Sequence, residues 1–154
     1  MPAQEGPRAK ATLQPTKGNV TSGEATFQQA GGKVRVVASV RGLRPGREHG
    51  FHIHEAGDCS SGDGMSAKGH FNPYGRPHGH FQAAERHAGD MPALRAGSDG
   101  AARVEFDLDV ITVAPGPASI VGRGLIVHAD PDDYRTQPTG NAGARLACGV
   151  IQRS

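Results

Sequence analysis

From Arg103 to Val110 polar and apolar residues alternate without a break, so Val104, Phe106, Leu108 and Val110 fall on one side of an extended chain. A period of two is the signature of a half-buried strand. Lys33 to Val40 opens with the same alternation, and Ala11 to Gln14, Gly23 to Gln28, Gly124 to His128 and Arg145 to Gln152 predict further strands. Gly31-Gly32 between two such runs reads as a hairpin turn. The 23 glycines and 11 prolines are spread along the chain, and no window between them carries an apolar period of 3.6. Short strands separated by frequent turn signals predict an all-β antiparallel sandwich or barrel. Two stretches lack strand character, residues 55 to 87 and 129 to 144. Polar connections of that length in a compact domain usually carry function.

Composition narrows the functional classes. A chain of 154 residues is one ordinary domain; we expect a flexible segment over residues 1–9 and a single domain over 10–154. The formal charge is +2, with 5% aromatic residues and no tryptophan. Neither a basic run nor a stacking platform is present, which excludes nucleic acid as the expected partner. No apolar stretch approaches the roughly 18 residues that span a bilayer, so no membrane partner is expected. Cys59 and Cys148 are the two cysteines. They can form one disulfide in an oxidising compartment or remain as two buried thiols. The N-terminus Met1-Pro2-Ala3-Gln4-Glu5-Gly6-Pro7 has no apolar core. We therefore expect a mature form whose leader is absent.

The candidate chemistry lies in histidine. Six of the eight histidines fall in five short segments: Phe51-His52-Ile53-His54, Gly69-His70-Phe71-Asn72-Pro73, Pro77-His78-Gly79, Glu85-Arg86-His87-Ala88-Gly89-Asp90 and Val127-His128-Ala129-Asp130. His52 and His54 share one face of a predicted strand, with Phe51 and Ile53 on the other. His70, His78, His87 and Asp90 offer three imidazoles and a carboxylate, a set zinc accepts tetrahedrally. Six imidazoles and one carboxylate exceed what a single tetrahedral metal uses and suit two metals that share a ligand. Both polar loops begin directly after candidate ligand histidines, which marks them as functional.

The segments GFHIHEAGDC, GHFNP, ERHAGD, GLIVHA and PTGNAGARLACGVI resemble, in order and approximate spacing, the copper,zinc superoxide dismutase family, over nearly the whole chain from about Ala11 to Ile151. The resemblance implies an eight-stranded antiparallel Greek-key β-barrel with two long functional loops, an architecture of the two-sheet sandwich kind. It implies that His52, His54, His70 and His128 hold copper, and that His70, His78, His87 and Asp90 hold zinc, with His70 bridging the two. Asp132 matches a carboxylate that links His52 to His78, in keeping with the need of ligating imidazoles for an acceptor on the second nitrogen. Arg145 matches an anion-attracting arginine beside the copper, and Thr139 the residue that narrows the channel opposite it. His70 would share with solvent the delivery of protons. Cys59 and Cys148 match an intrachain disulfide. The short second loop and the Gly57-Asp58-Cys59 spacing look like bacterial members, which implies a periplasmic or otherwise extracytoplasmic address. Superoxide is the implied substrate, disproportionated to dioxygen and hydrogen peroxide, and family members occur as monomers or homodimers. The alternative is a copper-delivery or metal-storage module on the same scaffold. Lys68, Arg76 and Arg135 are candidates for steering an anion, or ordinary surface charges. His49 and His80 are left over; His49 is expected to be structural or exposed, and His80 an exposed loop histidine.

Overall fold

The computed structural model describes residues 5–137 and 140–154. Among these residues ten strands follow in order: β1 (Glu5–Pro15), β2 (Ser22–Ala30), β3 (Lys33–Arg41), β4 (Glu48–His49), β5 (Phe51–His54), β6 (Leu94–Arg95), β7 (Ala102–Leu108), β8 (Gly124–His128), β9 (Arg145–Val150) and β10 (Gln152–Arg153). Among the described residues the helical structure is one 3-10 turn, Met65–Ala67, and no helix is long and apolar enough to cross a membrane.

One sheet runs β5-β8-β9-β1-β2-β3-β7, with β10 also on β1, and every strand pair in it is antiparallel. β4 and β5 are one extended run interrupted at Gly50. Its second half stays in the large sheet while its first half pairs with β6. The sheet thereby curls around a core that includes Leu13, Phe27, Phe51, Ile53, Leu94, Leu108, Ile120, Leu125 and Ile151, all buried. The alternation that predicted β3 survives as strict burial of Val34, Val36, Ala38 and Val40. Connections β3–β4 and β7–β8 cross between the two halves, giving the Greek-key antiparallel barrel.

Three expectations shift. β1 begins at Glu5, with Glu5, Arg8 and Ala9 paired to β2, inside the stretch 1–9 expected as a flexible segment, whose first four residues lie outside the described residues. Ala9 continues the buried series Ala9, Ala11, Leu13, and an irregularity between Glu5 and Arg8 accommodates Pro7, which has no N–H to donate. The strand expected through Gln152 breaks at buried Ile151, whose backbone pairs with residues 122–123, before β10 joins the far end of β1. β7 stops at Leu108, two residues short of the alternating pattern.

Candidate metal centre

β5 is buried at all four positions because both of its faces are covered. Phe51 and Ile53 enter the core, as alternation requires. His52 and His54 point the other way, beneath the two long loops, which here span residues 55–93 and 129–144. On one edge β5 pairs with β8, setting His52 opposite Ile126 and His54 opposite Gly124. Its other edge receives the first loop through two isolated bridges, His52 with Asp90 and His54 with His70. Backbone bonds from Phe71 N–H to the Ile53 carbonyl (2.8 Å) and from Ile53 N–H to the Gly89 carbonyl (3.0 Å) fasten it there. Gly89 has to be glycine for this approach, since a Cβ would overlap the Ile53 carbonyl oxygen. β8 supplies His128, and its cross-strand partner on β9 is Arg145.

The sequence-expected residues thus converge. One ligand atom from each of His52, His54, His70 and His128 lies within 4.8 Å of every other. The three strand-borne rings each spend one nitrogen on an acceptor: His52 Nε2 on Asp132 Oδ2 (2.6 Å), His54 Nδ1 on the Lys68 carbonyl (2.7 Å) and His128 Nδ1 on the Gly143 carbonyl (3.2 Å). The nitrogens left over face one another. His54 Nε2 and His128 Nε2 are 3.4 Å apart, and buried His52 Nδ1 and His70 Nε2 have no hydrogen-bond partner among the described residues. An unsatisfied buried polar atom costs about 1–3 kcal/mol. A cation among these four lone pairs removes that cost and the repulsion between them.

A second group meets on the other side of the His70 ring. His70 Nδ1 is 3.1 Å from both His87 Nδ1 and Asp90 Oδ1, and His78 Nδ1 is 2.8 Å from the same carboxylate oxygen. His52 also comes within 4.8 Å of His70, His78 and Asp90, but its Nε2 is taken by Asp132. The other Asp90 oxygen accepts the backbone N–H groups of Gly79 (3.0 Å) and His87 (2.9 Å), which leaves Oδ1 aimed at the rings. Asp132 joins the two groups, with Oδ2 on His52 and Oδ1 on His78 Nε2 at 2.8 Å. Gly140 lies against this link in a left-handed conformation (φ 74°), where a Cβ would overlap Asp132 Oδ1 and approach His78 Nε2 to 2.6 Å.

Protonation follows the same division. Burial, then the neighbouring imidazoles, push His52 and His54 well below the ordinary histidine range. Burial takes His128 down to about 4, assisted by Arg145. These rings are neutral and ready to ligate. His78 differs: burial opposes its charge, but Asp132 and Asp90 outweigh it and raise the ring to about 9. For Asp90, burial favours the neutral acid, and the contacts with His70 and His78 overcome it to hold the carboxyl far below its usual value.

Arg145 is half-buried and donates from Nη1 to the Gly64 carbonyl at 2.7 Å. Gly64 belongs to the segment tied down by the Cys59–Cys148 disulfide, which is formed. Thr139, expected opposite Arg145, lies outside the described residues. His49 is buried and structural, its Nδ1 on the His128 carbonyl at 2.9 Å and its Nε2 accepting from Arg44 N–H. His80 is partly covered rather than exposed, its ring against Phe81 and Tyr134. Sequence reasoning missed the acceptors at Lys68 and Gly143, because a backbone carbonyl leaves no mark on residue type. It also missed Gln137, which contacts His78 from the second loop.

Comparison with known proteins agrees with this arrangement. The family model for copper/zinc superoxide dismutase matches residues 21–151. A protein named copper–zinc superoxide dismutase 2 from Aquifex aeolicus (strain VF5) is 41% identical over 149 residues, covering 94% of this chain and 86% of its own. A copper–zinc superoxide dismutase of Onchocerca volvulus is 42% identical over 146 residues, covering 88% and 90%. An extracellular copper–zinc superoxide dismutase of Brugia pahangi is 41% identical over 152 residues, covering 93% and 74%.

Proposed function

Because the chain belongs to the copper/zinc superoxide dismutase family, we propose how its residues divide the work of that activity. The reaction consumes two superoxide ions and two protons and yields dioxygen and hydrogen peroxide. The cofactors are copper and zinc. His52, His54, His70 and His128 would hold copper; His70, His78, His87 and Asp90 would hold zinc. Bound copper supplies one-electron redox chemistry in both directions, while zinc is not redox-active and fixes charge and geometry.

The chain's own residues do the rest. Arg145 attracts and orients the anion, since its guanidinium stays charged at any working pH and its anchor on Gly64 limits where it can point. His70 holds a proton at Nε2 when that atom is not ligating, and releases it toward peroxide. Asp132 keeps His52 and His78 in one tautomer each. The single observation that carries this division is the pair of orphaned nitrogens, His52 Nδ1 and His70 Nε2, directed into a buried cluster of neutral rings. Thr139 remains our candidate for narrowing the channel.

Metal analysis with copper EPR and a superoxide assay tests the reading. One copper and one zinc per chain, with superoxide consumed, is the expected result; a fully metallated protein that leaves superoxide untouched overturns it. The copper-delivery alternative predicts that Arg145→Ala changes nothing, whereas the enzyme should lose activity by about tenfold, the worth of one charged hydrogen bond. We propose one domain over residues 10–154, extended back to Glu5 by the β1 pairing. We further propose an extracytoplasmic, periplasmic location, which the disulfide and the extracellular relative support. Sedimentation distinguishes the monomer and the homodimer that the resemblance allows.

A further inference from the structure

We propose that Gln137 is a positioning residue for His78: its side-chain amide takes the place of a missing neighbouring strand and sets how tightly the second donor group keeps its metal. The inference rests on reading His70, His78, His87 and Asp90 as the zinc set. Two members of that set are braced by the barrel, because His70 and Asp90 each bridge to β5. A third, His87, has its N–H bound by Asp90 Oδ2. His78 lies in a stretch with no strand pairing. It is held from the second loop instead, 59 positions away. Gln137 Oε1 accepts the His78 N–H at 2.7 Å, and Gln137 Nε2 donates to the His78 carbonyl at 2.8 Å, with a second donation to the Arg135 carbonyl at 3.1 Å.

Only a primary amide offers an acceptor and a donor side by side, which is what the N–H and C=O of one residue require. The pairing also fixes which way the amide faces, since reversing it would set donor against donor. The same loop grips the other end of the residue, where Asp132 Oδ1 meets His78 Nε2. Backbone and ring of His78 are therefore both held by residues 129–144. Loss of the Gln137 clamp leaves the ring tied to Asp132 but frees the backbone that aims Nδ1. His52, His54 and His128 sit on β5 and β8, and the clamp is built outside those strands.

Release of zinc to a chelator from fully loaded parent, Gln137→Ala, Gln137→Glu and Tyr134→Phe proteins tests this, together with the visible spectrum of the same proteins carrying cobalt(II) in place of zinc. Gln137→Ala should release zinc about tenfold faster, the lower end of what partners of metal ligands are worth, and should shift the cobalt bands. Gln137→Glu keeps the acceptor and loses the donor, so it should fall between. Tyr134→Phe removes only the bond that Tyr134 Oη accepts from the Ala93 N–H, loosening the loop elsewhere, and should match the parent. Parent-like release and spectrum in Gln137→Ala overturn the inference, as does a Tyr134→Phe protein identical to Gln137→Ala. A parent protein that retains no zinc overturns instead the assignment of the donor set, and with it the clamp.

Discussion

The two donor groups share His70 yet are built on different foundations. His52, His54 and His128 stand on β5 and β8, paired strands of the main sheet. His70, His78, His87 and Asp90 all come from the loop over residues 55–93. The strand-built group meets its second-nitrogen needs largely from backbone carbonyls, at Lys68 and Gly143. The loop-built group depends on carboxylates, and its His78 alone is raised, to about 9, while burial pushes down its His70 and His87 as it does the strand-built rings. The contrast teaches that the barrel presents one site ready-made and neutral, whereas the other is completed by charge and by whatever metal replaces the His78 proton.

The largest effect should come from the residue that belongs to both groups. His70→Ala should lower superoxide consumption by more than about 100-fold, beyond the range of partners of ligands, and should disturb both metals in the EPR and metal analysis. If only one metal is lost, the two groups are less coupled than the shared ring indicates. Asp132→Ala removes the bridge between them while sparing every ligand. Metal affinity should fall by about 10–100-fold, measured by competition with chelators. The fall should be greater for zinc, because His78 has no barrel contact to fall back on.

Hydrogen exchange separates the foundations directly. In metal-free protein the amides that pair β5 with β8 should stay protected, and those of residues 69–90, with the Ile53 amide that bonds to Gly89, should exchange readily. Zinc at a hundredfold excess over its dissociation constant should slow the latter by about 100-fold and leave the β5–β8 pairing unchanged. The two groups should also differ in their response to pH. Zinc must displace the proton that keeps His78 charged, so zinc affinity should rise about tenfold per pH unit until about 9 and then level off. The stability that charged His78 lends the metal-free chain runs oppositely: complete below the ordinary value of 6.5, lost as pH rises through about 9. Copper affinity, resting on rings already neutral, should show no such slope over that range by titration calorimetry.

Much of this was legible beforehand, for physical reasons. Alternation located β2, β3 and β7 because one face of each strand is buried and a slip of one residue would turn it outward, whereas β8, buried at every position, was legible as a short apolar run. β4 and β6 were invisible, since two residues make no period. The ends of β1 and β9 were misplaced where Pro7 and the break at Ile151 interrupt a pattern that tertiary pairing continues. The clustered donor residues were legible by chemical type, since histidine and aspartate announce what they can do. The clamp at Gln137 was not, because a glutamine in a polar loop looks like any other until its partner 59 positions away is known.

Gly140 carries a lesson for anyone altering this chain by random mutation. The residue has no group to ligate, donate or ionise, yet any side chain there would occupy the volume through which Asp132 reaches His78. A screen for loss of activity should therefore score position 140 alongside the histidines, and rescue should follow compensating changes that reopen space, such as shortening a neighbour, rather than changes that restore charge. Its contribution is clearance the size of one methyl group, inherited by the site as surely as any ligand.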